Sequence, residues 1–307
     1  MRPPRSVRYL LRWGLLAAAV GYLAYLLVKS DPTRLLEGLT PAVLFVAAVS
    51  AVIYAIAFHL LAVAWGLTLA RFAAAAVDLR VAVQGYALAN FAKYLPGNVF
   101  HYVGRQVVAS RLGCSQLSAA QATATEIAVH LAASGLLLAL LLPFSFAELA
   151  WMAGVVPEWW AAWPLLLLPA AGAIVWCYIR RRGGAAWPHV SLRLAATLLL
   201  LQLVFFTLAT AIGAWLALTL LAAPLTSLPA IAFAFLFSWL VAFVVPGAPG
   251  GLGLREACLA AALQPYGDLA TIVLLVALSR IVLVAGEGLF ALSAYMLALR
   301  ARPAATA

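Results

Sequence analysis

Phe243-Val-Val-Pro246-Gly247-Ala-Pro249-Gly250-Gly251-Leu-Gly253-Leu-Arg255-Glu256 interrupts a chain that is otherwise almost continuously apolar. Two prolines and four glycines break what should be an uninterrupted membrane helix, and an adjacent Arg–Glu pair follows them. In hydrocarbon, a broken backbone leaves N–H and C=O groups unpaired at several kcal/mol each. Such a break survives only where it is buried in protein or lines a wet cavity. A shorter break of the same kind lies upstream, at Lys93-Tyr94-Leu95-Pro96-Gly97-Asn98. The remaining chain reads as scaffolding around these two breaks.

Of the 307 residues, 67% are hydrophobic and 9% charged, which leaves too few polar groups to cover a soluble surface. The apolar runs reach or exceed the ~20 residues a bilayer-spanning helix needs, and they lack the period-2 alternation of barrel strands. The expected fold is therefore all-α, a polytopic helical membrane protein forming one integral domain over residues 1–307. The net charge of +10 comes from basic clusters that flank apolar runs, such as Arg180-Arg181-Arg182. This is the positive-inside pattern and argues against a nucleic-acid partner. Cys114, Cys177 and Cys258 are too far apart for a metal-ligand motif or a disulfide framework, so no cofactor and no metal are implied.

Taken in order, a basic N-terminus precedes an apolar run from Gly14 to Val28 that has no small-x-small cleavage site, as in a retained signal-anchor helix. Further full spans are expected at about Ala42–Ala70, Leu117–Leu142, Pro164–Ile179, Arg193–Leu221 and Leu269–Leu299, which gives about six. The loop from Pro143 to Trp163 is acidic and tryptophan-rich, as suits an outer interface. Residues 81–112 and 230–264 are expected to form two re-entrant hairpins, because Val81–Ala92 and Leu254–Leu263 are too short to cross. The charge map places both termini in the cytoplasm, with the first hairpin entering from that side and the second from the opposite face. Opposed broken elements near the midplane point to a transporter-type binding site.

Charged residues on these segments are the candidates for chemistry, since intramembrane charge is costly and by default functional. Lys93 and Arg105 flank the first break, and His101 shares a helical face with Arg105. In the second break, Gly250, Gly251 and Gly253 let backbone N–H groups approach an anion, and the helix from Leu254 aims its positive end at the same place. Glu256 in that first turn suits the helix dipole, whereas Arg255 does not. An Arg255–Glu256 partnership serving structure alone is the plain alternative. Glu126 and His130 sit four apart in mid-span, as a proton relay or as the partner of a buried arginine. Arg280 and Glu287 share one face of the last span. Cations slightly outnumber carboxylates, which suggests an anionic ligand, most naturally a lipid phosphate. Glu126-Ile-Ala-Val-His130 is not a HExxH zinc motif, and Gly251-Leu-Gly253 follows no strand, so neither implies a soluble-enzyme site.

Lys93-Tyr-Leu-Pro-Gly97 with Gly104-Arg105, the mid-span Glu126, and Pro249-Gly-Gly-Leu-Gly-Leu-Arg-Glu256 together resemble the lysylphosphatidylglycerol synthase transmembrane-region family. That family includes the flippase half of the multiple peptide resistance factor and inner-membrane proteins of the YbhN type. The resemblance runs from about residue 10 to 300. It implies a polytopic bacterial inner-membrane protein that moves or handles a lipid between leaflets. The sequence ends at Ala307 without the soluble aminoacyl-transferase domain of the full synthases, so lysylphosphatidylglycerol synthesis is not expected of it.

The leading expectation is a lipid translocase, not an enzyme, for an anionic phospholipid or polyprenyl-phosphate-linked lipid. Lys93, Arg105 and Arg255 would bind the phosphate, with Tyr94, Pro96 and Gly97 also in the substrate-binding set. Gly250, Gly251 and Gly253 would cradle the phosphate, and Glu126 with Arg280 would gate or exchange protons beside Glu256. The alternatives are a membrane enzyme or subunit acting on a lipid-linked sugar, with Glu126 or Glu256 as general base, and a scaffold for a lipid- or glycan-synthesis enzyme.

Overall fold

The computed structural model describes residues 32–73, 76–94, 100–145, 190–221, 223–245, 251 and 253–300. The expected spans at Gly14–Val28 and Pro164–Ile179, and the tryptophan-rich loop, lie outside these residues. Among those described there is no strand, and the chain is an all-α polytopic membrane protein. Its helices are α1 (Pro32–Glu37), α2 (Pro41–Ala73), α3 (Leu79–Asn90), α4 (Phe100–Arg111) and α5 (Gln116–Ser145), followed by α6 (Leu192–Leu220), α7 (Leu228–Val244), α8 (Leu254–Leu263) and α9 (Leu269–Arg300).

Among the described residues, five helical segments are long and apolar enough to cross a bilayer: α2, α5, α6, α9, and α7 with the turn that leads into it. Four of them match expected full spans to within a few residues. The fifth is the first arm of the second hairpin, which at Leu225–Val244 has the 20 residues a crossing needs. Large apolar side chains such as Phe45, Ile56, Leu140 and Leu200 point outward and are more than half exposed. In water this would be a severe penalty; against acyl chains it is the expected surface.

Lipid is as apolar as leucine, so these helices gain little by merely hiding apolar area and depend on close packing. Helix α2 is the centre of the bundle and packs against α3, α5, α6 and α9. Its buried face is rich in small residues, including Ala51, Ala55, Ala57 and Ala62. Gly286 of α9 lies where a Cβ would meet the Ala51 carbonyl oxygen at 2.9 Å and Tyr54 Cδ1 at 2.8 Å, so only glycine permits this approach. An aromatic cluster locks the same three-helix contact. Phe58 meets Phe205 of α6 edge-on at 5.4 Å and Phe290 of α9 at 5.4 Å. Such pairs contribute about 0.5–1.5 kcal/mol each beyond the area they bury.

The two breaks become two helical hairpins. Helices α3 and α4 pack together, joined through a 3-10 turn over Phe91–Tyr94. Asp78 caps α3, its Oδ1 accepting from the Arg80 amide at 2.8 Å. Gly104 makes the hairpin tight, since a Cβ there would come within 3.2 Å of the Ala89 backbone. Helices α7 and α8 form the second hairpin. The first hairpin leans on α2, α5 and α9; the second leans on α5, α6 and α9. Helices α5 and α9 therefore touch both, and that is what brings the breaks together.

Candidate functional site

The ends of both hairpins open on one cavity of about 280 Å³ inside the bundle. Lys93, His101 and Arg105 reach it from the first hairpin, and Phe243, Gly251 and Arg255 from the second. Glu126 and His130 of α5 and Arg280 and Glu287 of α9 complete its polar lining. Of the sequence-derived candidates, Lys93, Arg105, Glu126, Gly251, Arg255 and Arg280 thus line one space although they come from separate segments, while Gly253 and Glu256 are not part of its lining. Pro96, Gly97 and Gly250 lie outside the described residues, as does the side chain of Tyr94.

Arg105 is 4% exposed, buried within the bundle. Its guanidinium donates to Glu126 Oε2 in a short charge-assisted bond, while Tyr86 Oη donates to Glu126 Oε1 at 2.8 Å. The guanidinium also lies over the Tyr86 ring, 4.1 Å from its centroid. One carboxylate thus ties α3, α4 and α5 together. Of the two roles open to Glu126, partner of a buried arginine is the one the geometry displays.

Glu287 plays the equivalent part on α9. Lys93 Nζ donates to its Oε1 at 2.6 Å, and Asn90 Nδ2 to its Oε2 at 3.1 Å. Tyr86, Asn90 and Lys93 are spaced i, i+4, i+7, so they share one helical face. That spacing was readable in the sequence, yet Tyr86 and Asn90 were not among the expected site residues.

The third carboxylate, Glu256, corrects two expectations. Its Oε1 faces Arg280 Nη1 at 3.4 Å, so its ionic partner is Arg280 and not the adjacent Arg255. Neighbours at i and i+1 diverge around a helix, which is why adjacency in sequence misleads here. Arg280 thus sits against Glu256, and Glu126 against Arg105. The other Glu256 oxygen, Oε2, accepts from the Gly253 amide at 2.7 Å and caps α8. The Gly253 N–H is therefore occupied internally instead of cradling a phosphate. Gly251 and Gly253 are nonetheless required by the backbone, at φ of 74° and 84°, a left-handed region that side chains disfavour.

Each of the three carboxylates sits against one cation: Lys93–Glu287, Arg105–Glu126 and Arg280–Glu256. Arg255 is the fourth cation of the group and has no ion pair or hydrogen bond among the described residues. Its charge lies within electrostatic reach of Tyr54, Glu256, Arg280 and Glu287. An aromatic cluster also lines the cavity. Trp239 and Phe243 stack at 5.0 Å, and His130 lies 5.7 Å from Phe243. Chemically, the cavity offers one surplus positive charge beside an apolar, aromatic face.

No family model matches the chain, and no curated protein matches it.

Proposed function

We propose that this protein is a translocase for a lipid with an anionic headgroup, either a phospholipid or a polyprenyl-phosphate-linked lipid. The observation that carries the reading is the shared cavity. Two interrupted helical hairpins meet in a membrane bundle at a polar space lined by Lys93, Arg105, Arg255 and Arg280 with Glu126 and Glu287; with Glu256 counted as the partner of Arg280, the described residues hold one more cation than carboxylate. Charge inside a bilayer protein is expensive and tends to mark a substrate path, and broken helices at such a point are how transporters build ligand sites. The cavity is at the low end of small-molecule sites, roughly 300–1,000 Å³. It has room for a headgroup, while acyl chains would stay among the lipids. The resemblance to the lysylphosphatidylglycerol synthase transmembrane region supports the same reading. The enzyme alternative is weaker, because both carboxylates it would use as a base are already held by arginine.

The test is leaflet exchange in reconstituted vesicles carrying a labelled anionic phospholipid. Wild-type protein should accelerate exchange over protein-free vesicles, and Arg255→Ala should remove at least tenfold of that acceleration. A rate equal to that of empty vesicles, or one untouched by both Lys93→Ala and Arg255→Ala, sinks the proposal.

The same reading places the protein in the bacterial inner membrane with both termini cytoplasmic, on the strength of its basic helix ends. The α8–α9 turn would then face outward. Gln264 is exposed there and suits labelling better than Gly267, where a Cβ would meet Leu221 at 2.7 Å. In a background with the native cysteines replaced, Gln264→Cys should react with an impermeant maleimide added to intact cells. Reaction only after permeabilisation would invert this topology.

A further inference from the structure

Among the described residues, the cavity's charged side chains and their ion-pair partners, Glu256 included, carry a surplus of one unit, and we infer from it that the site selects a headgroup bearing a single negative charge, a phosphodiester, over phosphomonoesters and diphosphates. The inference rests on the translocase reading and narrows its substrate. Lys93, Arg105 and Arg280 each already face a carboxylate, at Glu287, Glu126 and Glu256. Among the described residues, Arg255 alone adds charge without an ion-pair partner, and it lines the cavity directly.

A bundle surrounded by hydrocarbon is intolerant of net charge, because each uncompensated ion inside it carries a desolvation penalty of about several kcal/mol. A phosphodiester brings one negative charge and leaves the assembly neutral. A phosphomonoester brings about −1.5 to −2 near neutral pH, so it must either keep an unmatched charge or take up a proton. A zwitterionic headgroup fails for the opposite reason. Its phosphate can meet Arg255, but its ammonium finds every carboxylate of the cluster already paired. Of the aromatic rings lining the cavity, Phe58, Tyr86 and Tyr102 already face Lys93 or Arg105, and Trp239 and Phe243 stack on one another at 12° between planes.

Phosphodiesters occur in phospholipids, in sugar-linked polyprenyl phosphates and in free small molecules, and the probes separate lipid from free ester. Purified protein in neutral detergent is offered equimolar short-chain phosphatidylglycerol, phosphatidic acid and phosphatidylcholine, with retained lipid read by native mass spectrometry. Phosphatidylglycerol should be retained at least tenfold over either competitor. Arg255→Gln should bring it down to the phosphatidylcholine level. Glu287→Gln keeps an acceptor for Asn90 but raises the surplus by one unit, so it should move the preference to phosphatidic acid. This reversal is the decisive arm, because a merely misfolded variant loses all binding and does not exchange one preference for another.

Equal retention of phosphatidic acid and phosphatidylglycerol by the wild type, or an unchanged order in Glu287→Gln, overturns the charge rule while leaving translocation standing. Displacement of phosphatidylglycerol by an equal concentration of dimethyl phosphate upholds the charge rule but assigns the site to a free ester, against the lipid reading. No anionic probe retained above phosphatidylcholine removes both.

Discussion

Arg105→Met is expected to destabilise the protein by about 3–5 kcal/mol, the cost of leaving a buried carboxylate without its counter-ion. The side chains of Arg105 and Glu126 are 5% and 4% exposed, so neither can recover solvation by a small shift. Tyr86 would still donate to Glu126, but a neutral hydroxyl cannot balance a full charge. Adding Glu126→Gln should restore most of the loss, since glutamine still accepts from Tyr86 and the pocket becomes neutral. The measurement is a double-mutant cycle by denaturant unfolding in mixed micelles. Interacting pairs show coupling energies of about 0.5–3 kcal/mol. A coupling near zero, or a single variant costing less than about 1 kcal/mol, would mean the pair does not bear on stability.

The second large effect concerns Glu256, whose two oxygens do separate jobs. Glu256→Ala removes the acceptor for the Gly253 amide, a capping loss of about 1 kcal/mol, and also the carboxylate facing Arg280. That contact is longer, at 3.4 Å, and the Arg280 side chain is 16% exposed. The ionic part is therefore discounted to about 1–3 kcal/mol, below the cost of breaking a fully buried pair. Together they predict a loss of about 2–4 kcal/mol. Glu256→Gln retains the cap and should lose only the ionic part. If the two variants are equally unstable, the cap contributes nothing; if glutamine matches the wild type, the Arg280 contact is idle. Either result would refute the two-job account.

The spans were legible because nothing in them competes with the apolar signal. Ala42–Ala70, Leu117–Leu142 and Leu269–Leu299 were expected, and the structure has Pro41–Ala73, Gln116–Ser145 and Leu269–Arg300. The first hairpin, expected over 81–112, spans Leu79–Arg111, because Asp78 caps one end and charge marks the other. The convergence of Lys93, Arg105, Glu126, Arg255 and Arg280 was also readable, since each is a charge stranded in hydrophobic sequence. The pairings were less so. Arg255 beside Glu256 invited a partnership that helix geometry forbids, and this could have been excluded from the one-residue spacing alone. Asn90 gave a weaker signal: a small polar residue at a helix end has many ordinary uses.

By itself, then, the sequence determined that this protein is a helical membrane protein, where its backbone is broken, and which charges must be accommodated inside it. These follow from local rules: the length of an apolar run, the cost of unpaired backbone in hydrocarbon, and the cost of an isolated ion. Only the tertiary structure decided which cation meets which carboxylate. Glu287 meets Lys93 and Asn90 from 194 and 197 residues away, and Glu256 serves Arg280 and Gly253 at once. Such pairs depend on how α5 and α9 hold the hairpins, a matter of helix packing that no spacing encodes. From that pairing comes the feature on which the proposed selectivity rests: every carboxylate is matched, and Arg255 is left facing the cavity.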